Sequence, residues 1–169
     1  IFMNKDIEKA IEILNQGGIV IFPTDTAIGI GCRIDNEKAI KRLFDIRKRP
    51  YDKAVPVLVD SLVTAQKYLK PVDKDVIDKL INLYWPGALT IILSCRIDKV
   101  PKLVRDNRDF LGIRITDHQT TLQIIKEIGV PLLGPSANFH REKTPYRLEE
   151  INPKLLKLVD FVVKGNTNK

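Results

Sequence analysis

Metal-binding and redox side chains are scarce in this chain, which has two cysteines, two histidines and a single methionine among 169 residues. Cys32 and Cys95 lie far apart, each in or after an apolar segment. They read as small core residues of a reducing compartment, not as a disulfide framework. His118 and His140, with two scattered cysteines, give no zinc-ligand spacing. Neither histidine has a nucleophile or base beside it; both read as surface residues, and only His140 follows a motif of interest. No apolar run approaches a membrane span and the start carries no signal-peptide pattern, which points to a cytoplasmic protein with no membrane partner. Aromatic residues make up 7% and are scattered, against an RNA-reading module built on interleaved aromatics. Four familiar motifs are missing: Gly-x-x-x-x-Gly-Lys, Gly-x-Gly-x-x-Gly after a strand, His-Glu-x-x-His and Gly-x-Ser-x-Gly. Any phosphate handling therefore falls to side-chain cations and backbone turns.

The chain is rich in cations: 28 Lys and Arg stand against 21 Asp and Glu, a net charge of +7. That surplus favours encounter with RNA, anionic lipid or nucleotides. A hydrophobic share of 44% is enough for one well-buried core.

Helical patterns alternate with short apolar runs. Ile7, Ile11 and Leu14 repeat at helical spacing, with Asn4 as N-cap and Gly17-Gly18 as the stop. A strand at 19–22 follows, then a helix from Asn36 through Ala39, Ile40, Leu43 and Phe44, broken near Pro50. Strands are predicted at 55–59, 89–93, 111–115, 130–134 and 161–163, and helices at 61–69, 73–84, 120–129 and 147–157. The alternation predicts an α/β domain.

Four stretches carry candidate chemistry. "PTDTAIGIGC" opens at the end of a strand, where open α/β sheets place ligands, and offers the hydroxyls and carboxylate of Thr24, Asp25 and Thr26; a polar turn is the ordinary alternative. "DIRKRPYDK" places Arg47, Lys48, Arg49 and Lys53 together. If the chain is extended there, Arg47 and Arg49 point to one face and suit bidentate contacts to phosphate or carboxylate, against the alternative of a solvated helix end. "GPSANFH" can aim the Ser136 hydroxyl and the Asn138 amide into one cleft, or form a common Ser/Asn turn. Arg114, whose neighbours Ile113 and Ile115 should face the core, needs a cleft or an ion-pair partner.

Taken in order, "IVIFPTDTAIGIG", "IRKRPYDKAVPVLV", "WPGALTIIL", "GIRIT" and "PLLGPSANFHREKTP" resemble the YrdC/TsaC family of threonylcarbamoyl-AMP synthases over nearly the whole chain. The resemblance implies a YrdC-like, dihydroxybutanone phosphate synthase-like fold: a twisted mixed β-sheet flanked by helices, with a concave positively charged surface. It implies one domain over 4–169, without the Ser-Thr-x-x-Asp segment into which family members continue. The family's Lys-x-Arg and Ser-x-Asn fall on Arg47, Arg49, Ser136 and Asn138, with arginine in the lysine position, and these are the implied catalytic residues. Thr24, Thr26 and Arg114 match further threonine and ATP site positions. The implied reaction joins L-threonine, bicarbonate and ATP into threonylcarbamoyl-AMP, with Mg2+ held mainly through the nucleotide and no protein metal ligand. The implied partners are downstream threonylcarbamoyl-transfer proteins and tRNA or double-stranded RNA. The alternative is a non-catalytic RNA-binding module of the same fold. A carbamoyl-adenylate domain of the hydrogenase-maturation type also shares the fold, but normally sits beside acylphosphatase and zinc-finger parts, which this sequence does not contain.

Overall fold

The computed structural model describes residues 4–168. Helix α1, Lys5–Asn15, starts where the Asn4 side chain accepts from the Asp6 amide at 2.9 Å, and it buries Ile7, Ala10 and Leu14. Strand β1, Val20–Pro23, is buried throughout and pairs antiparallel with β2, Ile28–Gly31. Helix α2, Glu37–Ile46, is capped by Asn36 and buries Ala39, Ile40, Leu43 and Phe44. Strand β3, Val57–Val59, starts directly after Pro56, which cannot donate to a ladder.

Helix α3 is Leu62–Gln66. The helix expected over 73–84 is three consecutive pieces: α4 (Lys74–Val76), a π-helical turn (Ile77–Ile81) and α5 (Asn82–Tyr84). Strand β4, Ile91–Ser94, pairs antiparallel with β5, Phe110–Ile115. Helix α6, Gln119–Ile128, ends at Gly129 with φ 70°, a value glycine adopts without strain. Strand β6 is Leu132–Leu133. The helix expected over 147–157 is split into a 3-10 turn at Leu148–Glu150 and α7 at Pro153–Leu156. Pro153 is the cause: it cannot continue a helix but opens one well, and Asn152 caps it. Strand β7 is Phe161–Val162.

The strands form two mixed sheets, in the orders β2-β1-β7 and β4-β5-β3-β6. Pairs β1/β7 and β3/β5 are parallel; the others are antiparallel. The sheets meet along a seam where β2 runs beside the 131–137 segment. Bonds cross it from Ile30 N to Pro135 O, from Ala137 N to Ile28 O and from Leu133 N to Cys32 O, each 2.9 Å. The approach is so close that a Cβ on Gly31 would lie 1.8 Å from the Leu133 carbonyl oxygen, which only glycine permits. One core cluster packs α2 against Ile113, Ile115, Val57 and Val59; the other packs α1 and α6 against Val20, Phe22, Leu58 and Leu132. Cys32 and Cys95 are buried and unbridged. Burial pushes the Cys32 thiol up to about 12. Among the described residues no helix is long and apolar enough to cross a membrane.

Candidate active site

The seam creates a cavity of about 150 Å³, lined by Thr24, Thr26, Ala27, Ile28, Gly29, Leu58, Arg114, Gly134 and Ser136. Each wall comes from a different element: the β1–β2 turn, β2, β3, β5 and the segment after β6. Leu58 and Arg114 stand side by side because β3 and β5 pair in that register. Their neighbours Val57, Val59, Ile113 and Ile115 point the other way into the core, as strand alternation requires. At Gly134 a Cβ would lie 2.6 Å from Leu58, so this wall is open only to glycine.

Hydrogen bonds fix what each group offers. The Thr24 hydroxyl donates to the Ala27 carbonyl at 2.6 Å and accepts from the amides of Thr26 and Ala27, each at 3.1 Å. Its capacity is spent on holding the turn. Thr26 Oγ1 accepts from Arg114 Nη1 at 3.1 Å, and because the Thr24 proton is committed to Ala27, Thr26 donates its own to Thr24 Oγ1 at 3.2 Å. Ser136 does the reverse: it donates to Asn138 Oδ1 at 2.5 Å and so presents lone pairs to the cavity. Arg114 is also bound by Asp25 and Thr116. The arginine thus has the ion pair that a mid-strand cation required as well as a face on a cleft.

The other predicted residues extend from this cavity without lining it. Asn138, expected to aim its amide into the cleft, instead gives Nδ2 to the carbonyls of Phe139 and Glu142, at 3.1 and 2.8 Å. It shapes the loop and holds Ser136. Arg47 is buried, and its Nε donates to the Asn138 carbonyl at 3.1 Å. Its Nη1 is buried with no hydrogen-bond partner among the described residues. Burial, with the nearby Arg49 cation, lowers the Arg47 guanidinium to about 10, still charged at neutral pH.

The extended geometry expected at 47–49 is not found. Arg47 is the C-cap of α2, Lys48 is left-handed with φ 52°, and the Lys48 and Arg49 amides return to the carbonyls of Asp45 and Phe44. This is a Schellman turn, and satisfying the last carbonyls of α2 outweighs strand alternation. Lys48 is exposed, with its ammonium 4.9 Å over the Phe139 ring. Arg49 is half-buried and gives Nε to the Lys53 carbonyl and Nη2 to the Ala54 carbonyl, at 3.1 and 2.5 Å. The cations do converge: desolvation, then Arg49, Arg141, Arg47 and Lys53, hold the His140 imidazole below its usual range. Sequence reading named Asp25 as a carboxylate of the first stretch without pairing it to Arg114, and left Thr116, which nothing local marks, unassigned.

A larger groove of about 710 Å³ runs between α2 and the 97–105 segment, lined by Ile40, Val100, Leu103, Lys41 and others, and contains none of these residues. The family named Sua5/YciO/YrdC, described as "Telomere recombination", matches residues 12–169. The chain belongs to this family. A threonylcarbamoyl-AMP synthase of Pseudoalteromonas translucida is 30% identical over 167 residues, covering 95% of this chain and 88% of that protein. The Bacillus subtilis threonylcarbamoyl-AMP synthase is 30% identical over 159 residues, covering 94% and 46%. The crystal structure of P. abyssi Sua5 complexed with L-threonine superposes with a TM-score of 0.90 at 25% identity, covering 95% and 47%. The chain thus spans about half the length of these last two family members.

Proposed function

We propose that the chain is a threonylcarbamoyl-AMP synthase, consuming L-threonine, bicarbonate and ATP and releasing pyrophosphate, for threonylcarbamoyladenosine formation in tRNA. The observation that carries this is the small cavity, in which the Arg114 guanidinium faces the lone pairs of Ser136. That polarity suits an amino acid, with its carboxylate on Arg114 and its amine on Ser136. The similarity to two threonylcarbamoyl-AMP synthases and to the threonine complex of P. abyssi Sua5 supports the same substrate.

The amine and bicarbonate condense to a carbamate with loss of water. A carbamate oxygen then attacks the α-phosphorus of ATP, and pyrophosphate leaves with the electrons of the broken P–O bond. No protein nucleophile is needed; the work is alignment and charge neutralisation. Arg47 and Arg49 neutralise the phosphates, and the unpaired Arg47 Nη1 is a donor ready for an anionic oxygen. Asn138 holds Ser136 and, through its carbonyl, Arg47. Magnesium would be held mainly through the nucleotide rather than by protein ligands, and would supply further neutralisation of the phosphate charge. The product passes to a protein that transfers the threonylcarbamoyl group.

The test is pyrophosphate release from ATP, with threonine and bicarbonate each omitted in turn. Dependence on both supports the synthase. Indifference to threonine, with salt-sensitive RNA binding, would favour the RNA-binding alternative.

A further inference from the structure

Asp25 is a shielded carboxylate to which the proposed reaction gives no part. It pairs with Arg114, and the two side chains are only 8% and 10% exposed. Oδ1 of Asp25 accepts from Arg114 Nη2 and from the hydroxyl of Thr116, which is fully buried. Arg114 Nη2 also lies 3.4 Å from that hydroxyl oxygen. One end of the guanidinium is therefore anchored away from the cavity, while Nη1 is left on Thr26. Its orientation follows from the anchor, because Nε has no partner among the described residues.

The anchor also sets the charge of the cavity. Arg114 is the one charged side chain that lines it among the described residues. With the Asp25 carboxylate directly behind it, the pair carries no net charge, in a setting where an uncompensated charge is costly. What remains is a neutral cavity with donors on one side and the Ser136 oxygen on the other. Such a site complements a molecule that brings both charges of its own. A lone Arg114 would instead attract any small carboxylate.

We infer that Asp25 is a positioning residue that keeps the cavity electrically neutral, so that it takes a small zwitterion and excludes anions of the same shape. The inference rests on the threonine reading above. The substrate class it names is the zwitterionic amino acid, as opposed to the hydroxy acid that lacks the amine.

The experiment measures binding by isothermal titration calorimetry at fixed ionic strength, to wild type, Asp25→Asn and Asp25→Glu. The probes are L-threonine and 3-hydroxybutyrate, which is threonine without its amine. In Asp25→Asn, 3-hydroxybutyrate should bind about tenfold or more tighter than to wild type, while threonine, whose ammonium offsets the gain, changes far less, so the ratio of the two affinities shifts toward the hydroxy acid. Asp25→Glu, which keeps the charge, should keep the wild-type order. A folded Asp25→Asn with the wild-type ratio of the two affinities overturns the inference. Should that variant not fold, Arg114→Gln gives the mirror test: the cavity becomes negative and should bind 1-amino-2-propanol, threonine without its carboxylate, more tightly than wild type does. No gain there overturns it equally. Threonine-dependent turnover of wild type separates the two readings. If turnover is present and neither variant gains its ion, only the neutrality inference falls. If turnover is absent and the ions still gain, only the threonine reading falls.

Discussion

Replacing Arg47 by lysine keeps the charge but changes what burial does to it. The site that lowers an arginine to about 10 is nearly dry, since Arg47 is 3% exposed. The same environment acting on an ordinary lysine, near ~10.4, would bring it to roughly 8. The introduced ammonium would also lose the Nε bond to the Asn138 carbonyl. A cation with a depressed folded-state pKa destabilises wherever the unfolded chain holds the proton more tightly. The cost is thus full below pH ~8, on the order of 3 kcal/mol, and fades as pH rises toward ~10.4. In a chain of this size that corresponds to roughly 6–12 °C in Tm. Wild-type Arg47 bears the same cost but keeps its proton to about 10, so scanning calorimetry from pH 6 to 10 should show the variant's Tm gaining on that of wild type as pH rises. Pyrophosphate release should move in the opposite sense, declining through pH ~8 as the introduced cation is lost. If Tm and turnover of the variant both run parallel to wild type across that range, the argument from burial is wrong.

Arg49→Ala should cut threonine-dependent pyrophosphate release strongly while the fold survives, because its two observed bonds tie down only the 53–54 loop; near-normal turnover would remove it from the phosphate site. Gly31→Ala should cost more than about 3 kcal/mol in urea denaturation, since backbone, not a flexible side chain, stands in the way of the new methyl group. A loss within experimental error would mean the seam yields. Cys32 should resist an aromatic disulfide reagent in the native protein and react on unfolding, because it is fully buried and its thiol is pushed up to about 12. Rapid native labelling would contradict that burial.

The elements that could be read from sequence were those whose signals are local. Asn4 and Asn36 cap α1 and α2 as their positions before apolar repeats suggest. Strand β2 was read only as part of a turn, because Gly29 and Gly31 alternate with Ile28 and Ile30 and hide the pleat; Gly31 allows the close approach across the seam, and Gly29 leaves room for the Phe22 ring of β1. Thr24, Thr26, Arg114 and Ser136 do converge, though Arg114 and Thr26 are 88 residues apart and nothing local marks the contact. Donor direction was out of reach. That Thr24 is spent on its turn and Asn138 on its loop follows from carbonyls that only the folded backbone supplies. At 47–49 local reasoning failed by a single residue, because Lys48 takes the left-handed turn usually given to glycine.

The seam has a thermodynamic consequence. Gly29 bridges Ser136, so the strand that lines the cavity on one side is hydrogen-bonded to the segment that lines it on the other. The two sheets cannot separate without dismantling the cavity, and a molecule held across it acts as a rivet between them. Occupancy and cohesion then share one free energy: at a hundredfold excess over its Kd, such a ligand adds about 2.7 kcal/mol to the stability of the whole fold. The join between the sheets is tightened most by the ligand it was shaped to hold.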